Sequence, residues 1–302
     1  MRIAIILNGI SGKKGKFRKR ILPQLEENFS VEVFETTSGE DAFQFAASSV
    51  AQKFDIILAA GGDGTLHQVV NGMLKGNEGV TDLPVLGLIP LGTGNDFART
   101  MNLKSDSQSL INAIAVKNTR PIDIGKVHFT NDKNGQTESR YFINVVDAGM
   151  GPDVVKRIAA QRTFLGIPYS YFMAILKTFL HYKLIRIAVK TSTGEWQGRA
   201  RAVAVANGRY FGQGLCIAPD ATIDDQRFET FICAEVSVFD FIRYSIPLKR
   251  GKRVDHKEVH YGSCSHMELT AEEPCGIEAD GEYLGMLPAR IGVIDTPIQF
   301  LV

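Results

Sequence analysis

The sequence predicts two domains: an N-terminal doubly wound α/β domain and a C-terminal, mainly antiparallel β-sandwich domain. Its 302 residues are more than a single hydrophobic core usually supports. In residues 1–124 short apolar runs alternate with helix-like stretches, the order that produces a parallel sheet with helices on both faces. In residues 125–290 strands follow one another across turns, as in antiparallel sheets. We predict that residues 290–302 include a strand that completes one of the two domains.

Two kinds of pattern define the elements of the first domain. Continuous β-rich apolar runs indicate parallel strands buried on both faces, at residues 2–7, 31–34, 54–60 and 85–89. Apolar residues at three- and four-residue steps indicate the intervening helices, at residues 15–28, 38–52 and 65–75. Ligands of such sheets bind beyond the carboxyl ends of the strands, so a functional site is expected there.

The second domain is predicted from short β-rich runs bounded by turn residues, with few helices between them. The predicted strands are residues 126–130, 139–146, 184–191, 199–206, 228–233 and 267–271. An Asn- and Gly-containing turn at residues 131–135 separates the first two. This succession is typical of an antiparallel sheet.

Composition and charge exclude several classes of protein. With 44% hydrophobic and 22% charged residues the chain is globular, and its net charge of +1 gives no reason to expect a nucleic-acid partner. Cys216, Cys233, Cys264 and Cys275 lack zinc-site spacing, and we expect buried small residues rather than disulfides. The apolar run at the N-terminus is too short for a signal peptide, so a cytoplasmic protein is expected.

A glycine-rich loop follows the strand at residues 54–60. It consists of Gly61, Gly62, Asp63, Gly64 and Thr65. Glycines let backbone N–H groups approach phosphate oxygens, and the start of the following helix favours the same anion. A carboxylate there would repel phosphate unless a cation lay between them, so Asp63 indicates magnesium. The alternative is a tight turn in which Asp63 caps a helix.

Three further strand ends carry polar or small residues. The strand at 85–89 is followed by Gly92, Thr93, Gly94, Asn95, Asp96 and Arg99. This second glycine-rich loop would face the first across one crevice, although Asn95 and Asp96 could instead cap the next helix. The first strand is followed by Asn8, Gly9, Ser11, Gly12 and Lys13, and the second by Thr36. Lys13 is a candidate to neutralise a phosphate.

These loops resemble the diacylglycerol kinase catalytic domain family, which includes bacterial lipid kinases and the related sphingosine and ceramide kinases. The matching stretches are G-G-D-G-T-L at 61–66, P-L-G-T-G-N-D-F-A-R at 90–99, I-D-I-G at 122–125, A-P-D-A-T-I-D-D at 218–225 and D-G-E at 280–282. They span nearly the whole chain in the family's order. The resemblance implies a kinase that uses Mg²⁺ and transfers the γ-phosphoryl group of ATP to a lipid hydroxyl, such as that of diacylglycerol, in a cleft between two domains.

The resemblance also implies roles for individual residues. Asp63 and Asp96 match acids of the magnesium and water network, and Glu282 matches the proton acceptor. Together with the residue types of the loops, it predicts a nucleotide held by Asn8, Gly9, Ser11, Gly12, Lys13, Thr36, Gly61, Gly62, Asp63, Gly64, Thr65, His67, Gly92, Thr93, Gly94 and Asn95. A second, structural magnesium would be held by Asp225 and by the backbone carbonyls of Thr222 and Arg227.

Three positions depart from the family pattern. His67 stands where the family usually has Asn, and Gly9 replaces a common Pro. Gln226 replaces the usual Gly after Asp225, which restricts the backbone whose carbonyls would coordinate the structural magnesium.

Two segments are candidates for peripheral contact with the inner face of a membrane. Residues 164–182 are rich in aromatic and aliphatic side chains, and residues 249–253 form a basic cluster. The alternatives are a helix of the domain core and a solvated loop. The sequence leaves a monomer and a homodimer open.

Three other functions are weighed against a lipid kinase. An NAD kinase shares the first glycine loop and the two-domain plan, but residues 90–99 have the lipid-kinase form. A catalytically silent protein that binds nucleotide or lipid could use the same fold. A Rossmann dehydrogenase is disfavoured because no G-x-G-x-x-G follows the first strand.

Overall fold

The computed structural model describes residues 1–77, 79, 82–103, 106–164 and 171–302. The chain divides into two compact units. Unit 1 comprises Met1–Ile124 and Asp295–Val302, and unit 2 comprises Gly125–Ile294. Within the described ranges, no helix is long and apolar enough to cross a membrane.

Strands and helices alternate along the first 124 residues. The strands are β1 (Arg2–Asn8), β2 (Ser30–Thr36), β3 (Ile56–Gly61), β4 (Val85–Pro90) and β5 (Thr119–Ile122). The helices are α1 (Lys14–Arg20), α2 (Leu22–Asn28), α3 (Gly39–Ala51), α4 (Asp63–Lys75), α5 (Asp96–Thr100) and α6 (Ser107–Ala115).

Strands predominate in the rest of the chain. They are β6 (Gly125–Thr130), β7 (Thr137–Phe142), β8 (Val145–Gly149), β9 (Ile185–Thr191), β10 (Glu195–Ala200), β11 (Ala202–Ala206), β12 (Tyr210–Phe211), β13 (Leu215–Cys216), β14 (Phe228–Cys233), β15 (Val259–Cys264), β16 (His266–Ala271), β17 (Gly276–Ala279), β18 (Glu282–Val293) and β19 (Ile298–Leu301). The helices are α7 (Gly151–Phe164), α8 (Tyr171–His181) and α9 (Val238–Lys249).

The sheet of unit 1 has the order β2-β1-β3-β4-β19-β5. All neighbouring pairs are parallel except β19 and β5. The interior of β1 and all of β3 are buried, because their β-branched and aliphatic residues have helices on both sides of the sheet. Leu7 pairs with Ala60, and Gly61 pairs with Pro90, so the carboxyl ends of β1, β3 and β4 lie side by side. The predicted parallel α/β sheet is confirmed.

Unit 2 is built on an antiparallel sheet with the order β10-β9-β16-β18-β17-β8-β11-β14-β15, to which β6 and β7 are added through β18. Alternating residues of these strands form a core that includes Phe142, Phe228 and Ile277. Three helices of this unit, α7, α8 and α9, belong to the described residues. The predicted antiparallel second domain is confirmed.

Several predicted elements have different bounds in the structure. The helix predicted at 15–28 is two helices, because Pro23 has no N–H with which to continue α1. The strand predicted at 139–146 is interrupted between β7 and β8, and the strand at 199–206 is interrupted at Arg201. Helix α9 was not predicted. Of the apolar segment at 164–182, residues 165–170 lie outside the described residues.

The four cysteines are free thiols. Cys216, Cys264 and Cys275 are buried, and Cys233 is half-buried. Burial raises the pKa of the Cys264 thiol to about 11 and that of the Cys275 thiol to about 12, so both stay protonated at neutral pH.

Candidate functional site

Hydrogen bonds join the loops that follow β1, β3 and β4. Asn8, at the end of β1, donates from Nδ2 to Oγ1 of Thr65 over 3.1 Å. Ser11 Oγ donates to the Leu91 carbonyl over 3.2 Å, and Lys13 Nζ donates to the Gly92 carbonyl over 2.8 Å. The carboxyl edge of the sheet therefore carries one connected polar surface.

The two glycine-rich loops approach each other so closely that a side chain would not fit between them. A Cβ atom on Gly92 would lie 2.5 Å from the Cα atom of Gly62 and 2.7 Å from Oδ1 of Asn95. A Cβ atom on Gly61 would overlap the side chain of Thr65. Glycine is thus required at these positions by packing, and the N–H groups of Leu91 and Gly92 both donate to the Gly61 carbonyl, which holds the two loops together.

Asp63 connects the first glycine loop to the start of helix α5. Its Oδ2 atom accepts the N–H of Asp96 and its Oδ1 atom accepts the N–H of Phe97, each over 3.1 Å. Helix α4, which Asp63 begins, is preceded by Gly62 and has no side-chain cap. The residue therefore does cap a helix, but that helix is α5. The Asp63 side chain thus holds the start of α5 against the first glycine loop, and it is only partly buried.

The second glycine loop ends in an unusual backbone conformation. Asn95 adopts the left-handed region with φ 51°, and its Nδ2 atom donates to the Gly92 carbonyl over 3.0 Å. The Oδ1 atom of Asn95 is buried and accepts no hydrogen bond from any described residue. Asp96 is buried, whereas Thr93 is exposed. The second glycine loop thus combines a buried acceptor and a buried acid with an exposed hydroxyl.

The remaining predicted nucleotide ligands differ in accessibility. Thr36 accepts the N–H of Gly9 at Oγ1 over 3.3 Å, which ties the end of β2 to the loop after β1. Gly12 and Lys13 follow on that loop, and Gly64 lies in the first turn of α4. His67 is only 1% exposed, and its Nε2 atom is 3.4 Å from Nδ2 of Asn71 within α4. A nucleotide contact by His67 stays a prediction.

In unit 2, Glu282 follows a two-residue turn between β17 and β18. Asp280 and Gly281 both have positive φ, 51° and 86°, which is the geometry that Asp-Gly favours in a tight hairpin. Asp280 accepts the N–H groups of Ile143, Asn144 and Val145, each over 3.0 Å. Glu282 itself is exposed at the first position of β18. The sequence reasoning assigned Glu282 and missed the anchoring role of Asp280, for which the Asp-Gly pair was the available signal.

Two further acids are buried beside this turn. Glu278 and Asp147 are cross-strand neighbours on β17 and β8, and both are buried. Oε2 of Glu278 accepts the N–H of Gly281 over 2.8 Å. Burial raises the pKa of both carboxyls well above the ordinary range, and the nearby Asp147 charge raises the pKa of Glu278 further. The sequence reasoning did not identify this acid pair.

The predicted structural magnesium loop precedes β14. Oδ1 of Asp225 accepts the N–H of Arg227 over 3.1 Å. Gln226 has φ 59°, so it adopts the left-handed conformation that a glycine would take more readily. No cluster of three or more His, Cys, Asp or Glu suited to a metal is present among the described residues. A site of one carboxylate with the carbonyls of Thr222 and Arg227 is of a different kind, and it stays a prediction.

Comparison with known proteins places both units in one family. Residues 2–127 match the diacylglycerol kinase catalytic domain, and residues 144–302 match the YegS C-terminal NAD kinase beta sandwich-like domain. A protein named diacylglycerol kinase from Bacillus subtilis is 29% identical over 96% of this chain and 92% of its own length. Another of that name, from Staphylococcus saprophyticus, is 30% identical over 96% of this chain and 91% of its own length.

Solved structures share the fold. The crystal structure of a diacylglycerol kinase from Bacillus anthracis matches with a TM-score of 0.74 at 20% identity, over 99% of this chain and 96% of that chain. The structure of yeast NADH kinase complexed with NADH matches with a TM-score of 0.50 at 10% identity, over 100% of this chain and 83% of that chain. At these identities the likeness concerns the fold alone. The two domain matches and the full-length relatives show that the chain belongs to the diacylglycerol kinase family of lipid kinases.

Proposed function

We propose that the protein transfers the γ-phosphoryl group of ATP to the hydroxyl group of a lipid, with diacylglycerol as the first acceptor to test. The observation that carries the proposal is the joining of three strand-end loops around Asp63, whose carboxylate accepts N–H groups from the second glycine loop. Phosphoryl transfer needs positioning and charge neutralisation more than covalent chemistry, and this edge of the sheet has the groups for both.

The ATP phosphates would be held by backbone N–H groups of the two glycine loops and by Lys13. Lys13 already reaches the second loop from the end of β1, since Nζ lies 2.8 Å from the Gly92 carbonyl. A triphosphate bound over the surface of the two loops would replace that carbonyl as the acceptor of Lys13, and the new hydrogen bond would be charge-assisted on both sides. The Asn95 amide, held in its left-handed conformation, would orient the loop around the phosphates.

Magnesium fits the donor set at the same edge. Asp63 and Asp96 have the hard oxygen atoms that Mg²⁺ prefers, and the 3.1 Å hydrogen bond from the backbone N–H of Asp96 to Oδ2 of Asp63 keeps the two residues adjacent. When bound, the ion would neutralise charge on the phosphates. Asp63 would also keep α5 and the second loop in position. The same side chain would then bind the ion and accept the backbone N–H groups of the second loop.

Glu282 would accept the proton of the lipid hydroxyl. The hydroxyl oxygen forms a bond to the γ-phosphorus, the bond from that phosphorus to the bridging oxygen of ADP breaks, and the proton passes to the Glu282 carboxylate. The side chain is exposed, and the turn that carries it is fixed by Asp280 and Glu278. An exposed acid on a rigid turn is suited to meet a bound substrate.

The direct test offers radiolabelled ATP and Mg²⁺ to the purified protein with diacylglycerol in mixed micelles, and in parallel with NAD or NADH. We expect labelled phosphatidic acid and no labelled dinucleotide. Labelled NADP or NADPH would show that the protein is an NAD kinase and not a lipid kinase. Binding of ATP without transfer to diacylglycerol or to a total lipid extract would indicate a silent binding protein.

The role of Asp63 is tested by Asp63→Asn with Asp106→Asn as the matched control. Asp106 caps α6 through a 2.8 Å bond from the N–H of Ser109, so its variant removes a similar charge from a cap in the same unit. We expect Asp63→Asn to lower kcat at least about 100-fold and to raise the Mg²⁺ requirement. Asp106→Asn should stay within about twofold of wild type. Equal activity of both variants would contradict the role of Asp63.

A further inference from the structure

Helix α9 of unit 2 presents large apolar side chains to solvent. Phe239 is 74% exposed, Ile242 is 48% exposed and Ile246 is 59% exposed. Their spacing of three and four residues places them on one face of the helix. Burying such side chains is strongly favourable, so three on one exposed face indicate a surface that is covered in use.

Cationic residues share this face, whereas the one acid of α9, Asp240, is half-buried, accepts the Ser237 hydroxyl and lies near only one of these cations, Arg243. Arg243, Lys249 and Arg250 are exposed at the positions that continue the same three- and four-residue steps. The ion pairs near the helix join Arg253 with Asp220 and His256 with Asp240, and they leave Lys249 and Arg250 without a carboxylate partner among the described residues. We name Phe239, Ile242, Arg243, Ile246, Lys249 and Arg250 the apolar–basic face.

The opposite side of α9 is also apolar, and it fixes the helix to the unit. Phe241 stacks on Phe179 of α8 with ring centroids 4.8 Å apart. Tyr244 and Leu248 line an apolar cavity of the same unit. The inward side chains of α9 pack against α8 and the cavity wall. The outward Phe239, Ile242 and Ile246 therefore do not contribute to the core.

The adjacent helix α8 shows the same combination of side chains. Its exposed positions include Met173, Lys177 and Leu180, spaced by four and three residues. Met173 and Leu180 are among the exposed large hydrophobic residues of the chain. Two helices in contact thus expose apolar and cationic side chains together.

We propose that the apolar–basic face of α9 is a membrane-docking surface that inserts into the headgroup region of an anionic bilayer. Apolar side chains would enter the acyl boundary while Arg243, Lys249 and Arg250 contact lipid phosphates, which is the arrangement of interfacial helices. With 12 residues the helix is about 18 Å long and would lie in the interface without spanning it.

Charge distinguishes this occupant from a second copy of the chain. Two copies meeting symmetrically through α9 would bring the cations of both faces together, and no acid of the face would offset them. An anionic lipid surface complements both the charge and the apolar stripe. Binding of vesicles to this surface can be measured without turnover, so the measurement does not depend on the proposed kinase activity.

The test measures binding of the full chain to vesicles in a flotation assay without ATP. Vesicles of phosphatidylcholine alone are compared with vesicles that contain phosphatidylglycerol. We expect binding to the anionic vesicles, at least about tenfold weaker for Phe239→Ser/Ile242→Ser/Ile246→Ser. Wild-type affinity of this triple variant for anionic vesicles would overturn the proposal.

Charge-removing variants test the basic residues. Arg243→Gln/Lys249→Gln/Arg250→Gln should lose at least about tenfold in binding to anionic vesicles. The matched control, Arg186→Gln/Lys190→Gln/Arg290→Gln, removes three exposed charges that are paired with glutamates elsewhere in unit 2. If both variants lost the same affinity for anionic vesicles, the loss would follow from the change in net charge alone. That result would overturn the assignment of the binding surface to α9.

A tryptophan reporter tests insertion directly. The chain has one tryptophan, Trp196. In a Trp196→Phe background, Phe239→Trp should be quenched by lipids brominated near the headgroup, whereas Val116→Trp, an exposed apolar site in unit 1, should not. No quenching at position 239 would overturn the proposal. So would a stable dimer that the serine variant abolishes in the absence of lipid, since a second copy would then cover the face.

Discussion

Asp63 in unit 1 and Asp280 in unit 2 lie beside glycines in the two most recognisable motifs of the chain, and both carboxylates bind backbone N–H groups of a distant segment. Asp63 accepts the N–H groups of Asp96 and Phe97. Asp280 accepts those of Ile143, Asn144 and Val145. Asp280 is buried, whereas Asp63 is partly exposed. The same kind of anchoring therefore leaves Asp63 more accessible to a ligand than Asp280.

The difference in burial separates a motif acid that has a structural role from one that a ligand can reach. Three N–H donors and burial commit Asp280 to holding the hairpin turn. Partial exposure leaves Asp63 accessible from solvent while it holds the second loop, which is what the proposed magnesium role requires. In the D-G-E motif the exposed acid is Glu282, which the buried Asp280 carries into position.

The largest expected effect is on folding stability. Asp280→Ala should lower the free energy of unfolding by about 3 kcal/mol or more, because it leaves three buried N–H groups without their acceptor. Asp63→Ala should cost about 1 kcal/mol, as for loss of a helix cap. Urea denaturation of both variants measures the difference.

The control for this comparison is Glu268→Ala, which removes an exposed carboxylate paired with Arg290. It should change stability by less than about 0.5 kcal/mol. Equal losses in the free energy of unfolding for Asp280→Ala and Asp63→Ala would contradict the proposal that Asp280 is the structural acid and Asp63 the ligand-accessible one.

A smaller effect is expected where the two glycine loops touch. Gly92→Ala would place a methyl group 2.5 Å from Cα of Gly62, so the loops must separate. We expect about a tenfold higher KM for ATP, which corresponds to about 1.4 kcal/mol. Gly39→Ala adds the same methyl group where no atom lies within 4 Å, and it should leave KM unchanged. A normal KM for Gly92→Ala would show that the loop contact does not shape the nucleotide site.

The smallest effect is the pH dependence that the buried acids impart to unit 2. Folding raises the pKa of Asp147 and Glu278 above their ordinary values of 3.8 and 4.5. The unfolded chain therefore loses these protons at lower pH than the folded chain, and stability falls as pH rises above those ordinary values. Glu278→Gln keeps an acceptor for the N–H of Gly281 and removes one ionisable group.

Thermal unfolding of Glu278→Gln across about pH 5 to 8 measures this effect. Relative to wild type, the variant should lose less stability over that range, by on the order of 1 kcal/mol. The control Glu195→Gln replaces an exposed acid and should follow the wild-type curve. A Glu278→Gln curve that also follows wild type would mean that folding does not raise the pKa of Glu278.

Local patterns predicted much of the fold. The strand predicted at residues 228–233 coincides with β14, because its inward residues alternate along one sheet face. The buried strands β1, β3 and β4 were found from uninterrupted apolar runs. Helix α9 was missed because apolar residues on both its outer and inner sides obscure a single amphipathic stripe.

The contacts within the candidate site could not be predicted in the same way. The bond from Phe97 to Asp63 joins residues 34 positions apart, and the bond from Ile143 to Asp280 joins residues 137 positions apart. Such bonds depend on strand order and register, which local sequence does not specify. Sequence motifs thus identified the residues of the loops, while only the fold reveals which motif acid is an anchor.

We propose that Glu282 acts in phosphoryl transfer while the acids around it hold its turn. The most direct measurement is the single-turnover rate of Glu282→Gln with diacylglycerol and ATP, beside Glu195→Gln, which alters an exposed acid at the start of β10. We predict a loss of about 100-fold or more for Glu282→Gln with wild-type thermal stability, and a wild-type rate for Glu195→Gln. A Glu282→Gln rate within about twofold of wild type would show that Glu282 is not the proton acceptor.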